Sequence, residues 1–169
     1  MNDVLPWLEY KWSFDFPTGM YRAVLERLRG TPARIEEMLQ GVATAALVEK
    51  RNGKWSIQEH IGHLWILDAE LHEPRVHQFL SGEPNLQAAD MSNKATFDRN
   101  FNVASAGDVL TGLRAARSQM LRVLDPLTLK DAARTALHPR LQKQMRLVDM
   151  CYFAAEHDDH HLAAMRQLL

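Results

Sequence analysis

Apolar residues recur at helical intervals through most of the chain. Met20, Val24, Leu25 and Leu28 share one face from about Thr18 onward, the three-and-four spacing of an amphipathic helix. Gly30 is expected to stop this helix. Thr31-Pro32 then reads as an N-cap followed by proline at the first helical position, restarting it through Leu39 to Gly41. Residues 42–54 read as a loop ending in the turn chemistry of Arg51-Asn-Gly-Lys54. Ser56-Ile-Gln-Glu59 is a capping box, predicting a helix from there to about Leu80, where Ser81-Gly82-Glu83-Pro84 ends it. Val109, Leu110, Leu113, Met120, Leu121 and Leu124 mark another from about Ser105 to Leu124, closed by Asp125-Pro126. Thr128-Leu-Lys-Asp131 starts a short helix, His138-Pro139 interrupts, and a last helix is expected from about Gln142 to Leu168. No segment shows convincing strand alternation. Residues 1–16 are aromatic without a period and are expected to form an irregular arm or short helix against the body. Residues 81–104 also lack a sustained period, and a connection of that length usually crosses over or carries function. The pattern predicts an all-α fold, a four-helix bundle with one long crossover connection, as a single domain over residues 1–169.

Composition narrows the class. Hydrophobic residues at 46% and charged residues at 24% are those of a soluble globular protein. A net charge of −1, with no basic block, argues against a nucleic-acid surface. No 18-residue apolar run exists to span a membrane, and the N-terminus lacks the apolar core of a signal peptide. Cys151 is the single cysteine, which excludes an internal disulfide and fits a reducing cytoplasm.

The candidate chemistry lies in the histidines. Residues 156–161 read Glu-His-Asp-Asp-His-His, and His157 and His161, four apart, lie one above the other on a helix. Projected at about 100° per residue, both fall within the apolar stripe of Leu147, Met150, Phe153, Ala154, Ala164 and Leu168. His160 falls at the stripe's edge, and Cys151 lies about 120° away. Chance alone gives about 0.4 such pairs in this composition, so the spacing decides little by itself. Two stacked imidazoles facing a core are nevertheless hard to satisfy without a metal or a carboxylate. His63, on the helix after the capping box, completes a three-nitrogen site that leaves a coordination position for water or substrate. Gly62 beside it suggests close helix packing at that level. Glu59 and Glu70 are candidates for a general base, or, with Glu156, for acceptors of imidazole N–H groups. His72, His77 and His138 lack matching partners and read as surface or rim residues. Trp55 and Trp65 are expected in the core or along a pocket. Arg75, Arg117 and Arg140 could hold a carboxylate, and Asn93 could reach over the site from its loop.

The sequence resembles the DinB/YfiT-like family of metalloenzymes. The resemblance rests on Trp55-Ser-Ile-Gln-Glu-His-Ile-Gly-His63 with the following Leu-Trp, on Phe79-Leu-Ser-Gly-Glu83, on His138-Pro-Arg-Leu141 and on Glu156-His-Asp-Asp-His-His-Leu162. It implies a four-helix bundle holding a divalent transition metal, zinc or nickel, on three side chains. His63 matches the ligand of the earlier helix, and His157 and His161 match the pair of the last; His60 and His160 sit beside the pattern positions. The resemblance further implies a metal-dependent enzyme that transfers or conjugates a low-molecular-weight thiol to a small-molecule substrate. The alternatives are a metal-dependent hydrolase, or a non-catalytic metal-binding stress-response protein. Dimers are frequent in such a family, and the aromatic arm could serve a homodimer.

Overall fold

The computed structural model describes residues 4–169, which are built on four long helical segments. In chain order the helices are α1 (Tyr21–Met38), α2 (Thr44–Val48), α3 (Ile57–Leu67), α4 (Glu73–Ser81), α5 (Lys94–Asp98), α6 (Ala106–Leu124), α7 (Leu129–Ala132) and α8 (Leu147–Arg166). A single π turn, Asp68–His72, joins α3 to α4 as one continuous rod. The bundle is α1, the α3–α4 rod, α6 and α8: α3 packs on α6 and α8, and α1 on α6 and α8. The expected all-α bundle is the architecture observed, with a small hairpin added to it. No helix among the described residues is long and apolar enough to cross a membrane.

Helix α1 runs unbroken through Gly30 and Pro32, where a stop and restart were expected. Proline has no N–H to donate to the carbonyl four residues back, so the oxygen of Leu28 loses its helical partner. The Arg117 guanidinium replaces it, with Nη1 donating to Leu28 O at 2.5 Å. The rod meets the same problem at Pro74, and Gln87 Nε2 donates to the stranded carbonyl of Glu70 at 3.0 Å. In both places a distant side chain keeps the helix continuous.

The last helix begins at Leu147, five residues later than expected, because residues 143–146 are a strand. Strands β1 (Thr135–His138) and β2 (Lys143–Arg146) pair antiparallel, with Ala136 opposite Met145 and His138 opposite Lys143. Four residues per strand are too few to reveal alternation in the sequence. Arg146 closes the strand and caps α8, its N–H donating to Asp149 Oδ2 at 2.7 Å. Asn85, in the long connection over residues 82–105, bridges to Leu137 and ties that connection to the hairpin. Residues 44–48 form the short α2 inside the segment expected as loop.

The core has two apolar clusters. One surrounds Tyr21, Leu28, Phe79 and Met150, the other Ile35, Ile57, Leu113 and Met165. Between them along the helices lies a buried polar layer. Arg117 donates from Nε to Asp68 Oδ2 at 2.6 Å and from Nη1 to Asp158 Oδ2 at 2.7 Å. Thr31 Oγ1 donates to Asp158 Oδ2 at 2.7 Å, and Asp68 faces His72 Nδ1 at 3.2 Å. Burial pushes the Asp68 carboxyl up, but the Arg117 charge outweighs it and holds Asp68 below its usual range. Burial raises Asp158 despite the same cation.

The N-terminal arm forms a short 3-10 turn at Trp7–Glu9 and packs on its own chain. Trp7 meets Phe153 edge-on at 5.0 Å and His157 at 4.7 Å between ring centroids.

Candidate metal centre

Helix α3 starts where the capping box places it. Ser56 Oγ accepts from the Glu59 N–H at 3.1 Å, and Glu59 Oε2 accepts from the Ser56 N–H at 2.8 Å. That start fixes His63 on the face turned to α8, from which His157 and His161 project. All three imidazoles are buried, and one nitrogen of each lies within 4.8 Å of the others. Nε2 of His157 and Nε2 of His161 are 3.2 Å apart. Bonds of about 2.0–2.1 Å from nitrogen to a tetrahedral metal put neighbouring ligand nitrogens about 3.3 Å apart, so the spacing suits one ion.

Protonation suits it as well. Burial pushes His63 down to about 3 and His157 and His161 well below the ordinary histidine range, and the neighbouring imidazoles add to the effect. Each ring is therefore neutral near pH 7 and keeps one bare nitrogen, the form a metal binds. Two outer partners decide which nitrogen is bare. His63 Nδ1 lies 3.1 Å from Thr96 Oγ1, and donation to that hydroxyl leaves Nε2 free. His60 Nδ1 lies 2.7 Å from His161 Nδ1, and donation from His161 leaves its Nε2 turned to His157. His157 Nδ1 is buried with no hydrogen-bond partner among the described residues. Every sign of this donor set fits a divalent transition metal.

Aromatic rings wall the centre. Trp55 lies 4.7 Å from His63 and nearly parallel to His161 at 6.0 Å, and Trp7 covers His157. Beyond them opens a cavity of about 470 Å³ that the three histidines share with Arg75, His138 and Arg140. Asn93 also lines it from the connecting loop, where the sequence suggested it could reach.

The expected acids are placed elsewhere. Glu59 has one oxygen on the Ser56 N–H and the other on Lys50 Nζ at 2.8 Å, so it is committed to capping and pairing. Glu70 is exposed and pairs with Arg99. It borders a separate recess of about 160 Å³ that also touches His63. Glu156 pairs with Arg27 at 2.7 Å. His77 is exposed as expected, whereas His72 and His138 are buried, at 3% and 2% exposure, and are not surface residues. His72 faces Asp68 one turn back along the rod, and His138 lies on the hairpin, which the sequence pattern did not disclose. Gly62 makes room for a ring where helix packing was expected: a Cβ there would sit 2.1 Å from Phe101. Cys151 lies in the apolar cluster around Tyr21, its thiol pushed up to about 12 by burial. Thr96 had no signal in the sequence, since it sits in the aperiodic connection and bonds through a side chain common in any loop.

A search among curated proteins returned no match. Among solved structures, the chain is similar to YfiT from Bacillus subtilis, described as a probable metal-dependent hydrolase with an unusual four-helix bundle topology. The TM-score is 0.75 at 21% identity, over 95% of this chain and 91% of that one. The model of the DinB superfamily matches residues 27–165, a span that contains all three converging histidines. The chain belongs to the DinB superfamily.

Proposed function

We propose that this protein is a metal-dependent enzyme that conjugates or transfers a low-molecular-weight thiol to a small electrophilic substrate. The observation that carries this reading is the convergence of three buried, neutral imidazoles on one wall of a cavity large enough for a small molecule. His63, His157 and His161 would hold the ion, zinc or nickel, since imidazole suits both. When bound, the ion supplies Lewis acidity that lowers the pKa of a thiol meeting it, making the sulfur a nucleophile near neutral pH. His60 and Thr96 keep His161 and His63 in the required tautomers, while Trp7 and Trp55 exclude bulk water.

Thiol chemistry is favoured by the placing of the acids. A free thiol already ionises near pH 8.5, so it asks little of a neighbouring base. Attack by water gains more from a general base, and Glu59 and Glu70 are both engaged elsewhere. A cytoplasmic setting, where such thiols stay reduced, agrees with the lone free cysteine.

Metal-assisted hydrolysis is the second reading. It is favoured by the similarity to a protein described as a probable metal-dependent hydrolase. Metal content of the purified chain, followed by conjugation of a thiol to a model electrophile, tests the proposal. Bound metal and turnover that both vanish in His157→Ala are expected. Turnover that survives in this variant would overturn the metal mechanism, and ester hydrolysis without thiol dependence would favour the second reading.

A further inference from the structure

The wall of the cavity lined by Arg75, His138 and Arg140 holds more hydrogen-bond donors than acceptors. Arg75, on α4, is 1% exposed, and its Nε and Nη2 both donate to the Gln87 carbonyl, at 2.9 and 2.7 Å. Its remaining nitrogen, Nη1, faces His138 Nε2 at 3.4 Å. His138 Nδ1 accepts from the Leu141 N–H at 3.2 Å, so the proton of the neutral ring sits on Nε2. Two donors thus confront each other with no acceptor between them. Arg140 adds a third: its Nη2 is buried and has no partner among the described residues. No carboxylate among the described residues pairs with either arginine. Asp90, which also borders the cavity, has its oxygens on the Ser92 and Lys94 N–H groups of its own turn.

A buried guanidinium beside a second, half-buried one is costly unless something anionic joins them. Burial first, and then the Arg140 charge, lowers Arg75 to about 10. Burial, with both arginines, lowers His138 to about 4.

From these donors we infer that Arg75, His138 and Arg140 form a carboxylate-binding subsite, which holds the acid group of a small substrate while its reactive end reaches the three histidines. The inference rests on the reading of this cavity as a substrate site and narrows the substrate class to carboxylates. A carboxylate offers two oxygens and about four lone pairs, enough for the three donors. Charge-assisted bonds of this kind are also about twice as strong as neutral ones.

The test is calorimetric titration of the metal-free full chain with propionate, with propionamide as an uncharged isostere and with inorganic phosphate. Propionate is expected to bind at least about tenfold more tightly than propionamide, the effect of one charge-assisted hydrogen bond. Arg140→Met should abolish that preference, because Arg140 supports no backbone group, whereas Arg122→Met, on an exposed face of α6 away from the cavity, should retain it. Equal affinity for the two isosteres, or an unchanged preference in Arg140→Met, would overturn the subsite. Phosphate bound in place of propionate would overturn its assignment to carboxylates. Because no metal is present in the titration, failure of the metal mechanism leaves this result standing, and the reverse also holds.

Discussion

Nδ1 of His60 lies 2.7 Å from Nδ1 of His161, so a half-buried imidazole orients a buried one. His60 itself is pushed down to about 4, by burial and then by His160. It is neutral near pH 7 and can accept the proton that His161 would otherwise carry on either nitrogen. Loss of an outer partner of this kind usually costs about 10–100-fold in metal affinity. His60→Ala is expected to weaken zinc binding by about that factor in a competition titration against a chelator. Thr96→Val should act likewise through His63. Unchanged affinity in both variants would mean that neither outer bond matters.

Arg117 joins two buried carboxylates to the oxygen of Leu28 that Pro32 leaves without a helical donor. Removing one partner of a buried pair strands the other charge, at a cost of about 3–5 kcal/mol. Arg117→Met should lower stability to urea by that order, while a metal-binding assay on the folded fraction stays near wild type. A loss below about 1 kcal/mol would show the polar layer to be replaceable by apolar packing.

Gly62 is covered by the Phe101 ring, which comes within 2.1 Å of where a Cβ would stand. Gly62→Ala should therefore destabilise by about 1–3 kcal/mol, the usual cost of overpacking. This is so even though alanine is the better helix former. In a Phe101→Leu background the same substitution should cost less, and equal costs in both backgrounds would disprove the steric account.

Acid should destabilise the metal-free protein through its buried histidines. His60 and His138 are lowered to about 4 and His63 to about 3, whereas the unfolded chain titrates near 6.5. Between these values the unfolded chain binds more protons, so stability rises with pH across that window. Equivalently, it falls as pH drops from about 6.5 towards 4. Urea midpoints measured from pH 7 to pH 4 should decline steadily. His63→Gln should flatten part of that slope, and a flat wild-type profile would contradict neutral burial.

The helices and the His157–His161 pair were legible because burial of one face imposes a period, and the capping box at Ser56 marked its own position. What escaped the sequence depends on contacts between distant segments. Pro32 looked like a boundary because nothing local shows that Arg117, 85 positions away, meets the freed carbonyl. The hairpin escaped because two four-residue strands carry little pattern, and with it went the burial of His138. Glu59 read as a candidate base because the sequence shows its place on the helix but not its partner Lys50.

The π turn at Asp68–His72 has a geometric consequence. His63 and Arg75 are twelve positions apart, which on a regular α-helix separates their directions by about 120°. A π turn absorbs one extra residue and so rotates everything beyond it back by about 100°. The two side chains are left within about 20° of each other by this reckoning, and both line the same cavity. Deleting a single residue from 68–72 would straighten the rod and leave Arg75 eleven positions from His63, still within about 20° of it; regular α geometry over all the residues present would instead turn Arg75 about 120° away. The π turn thus takes up an extra residue in the rod while His63 and Arg75 stay on one face of it.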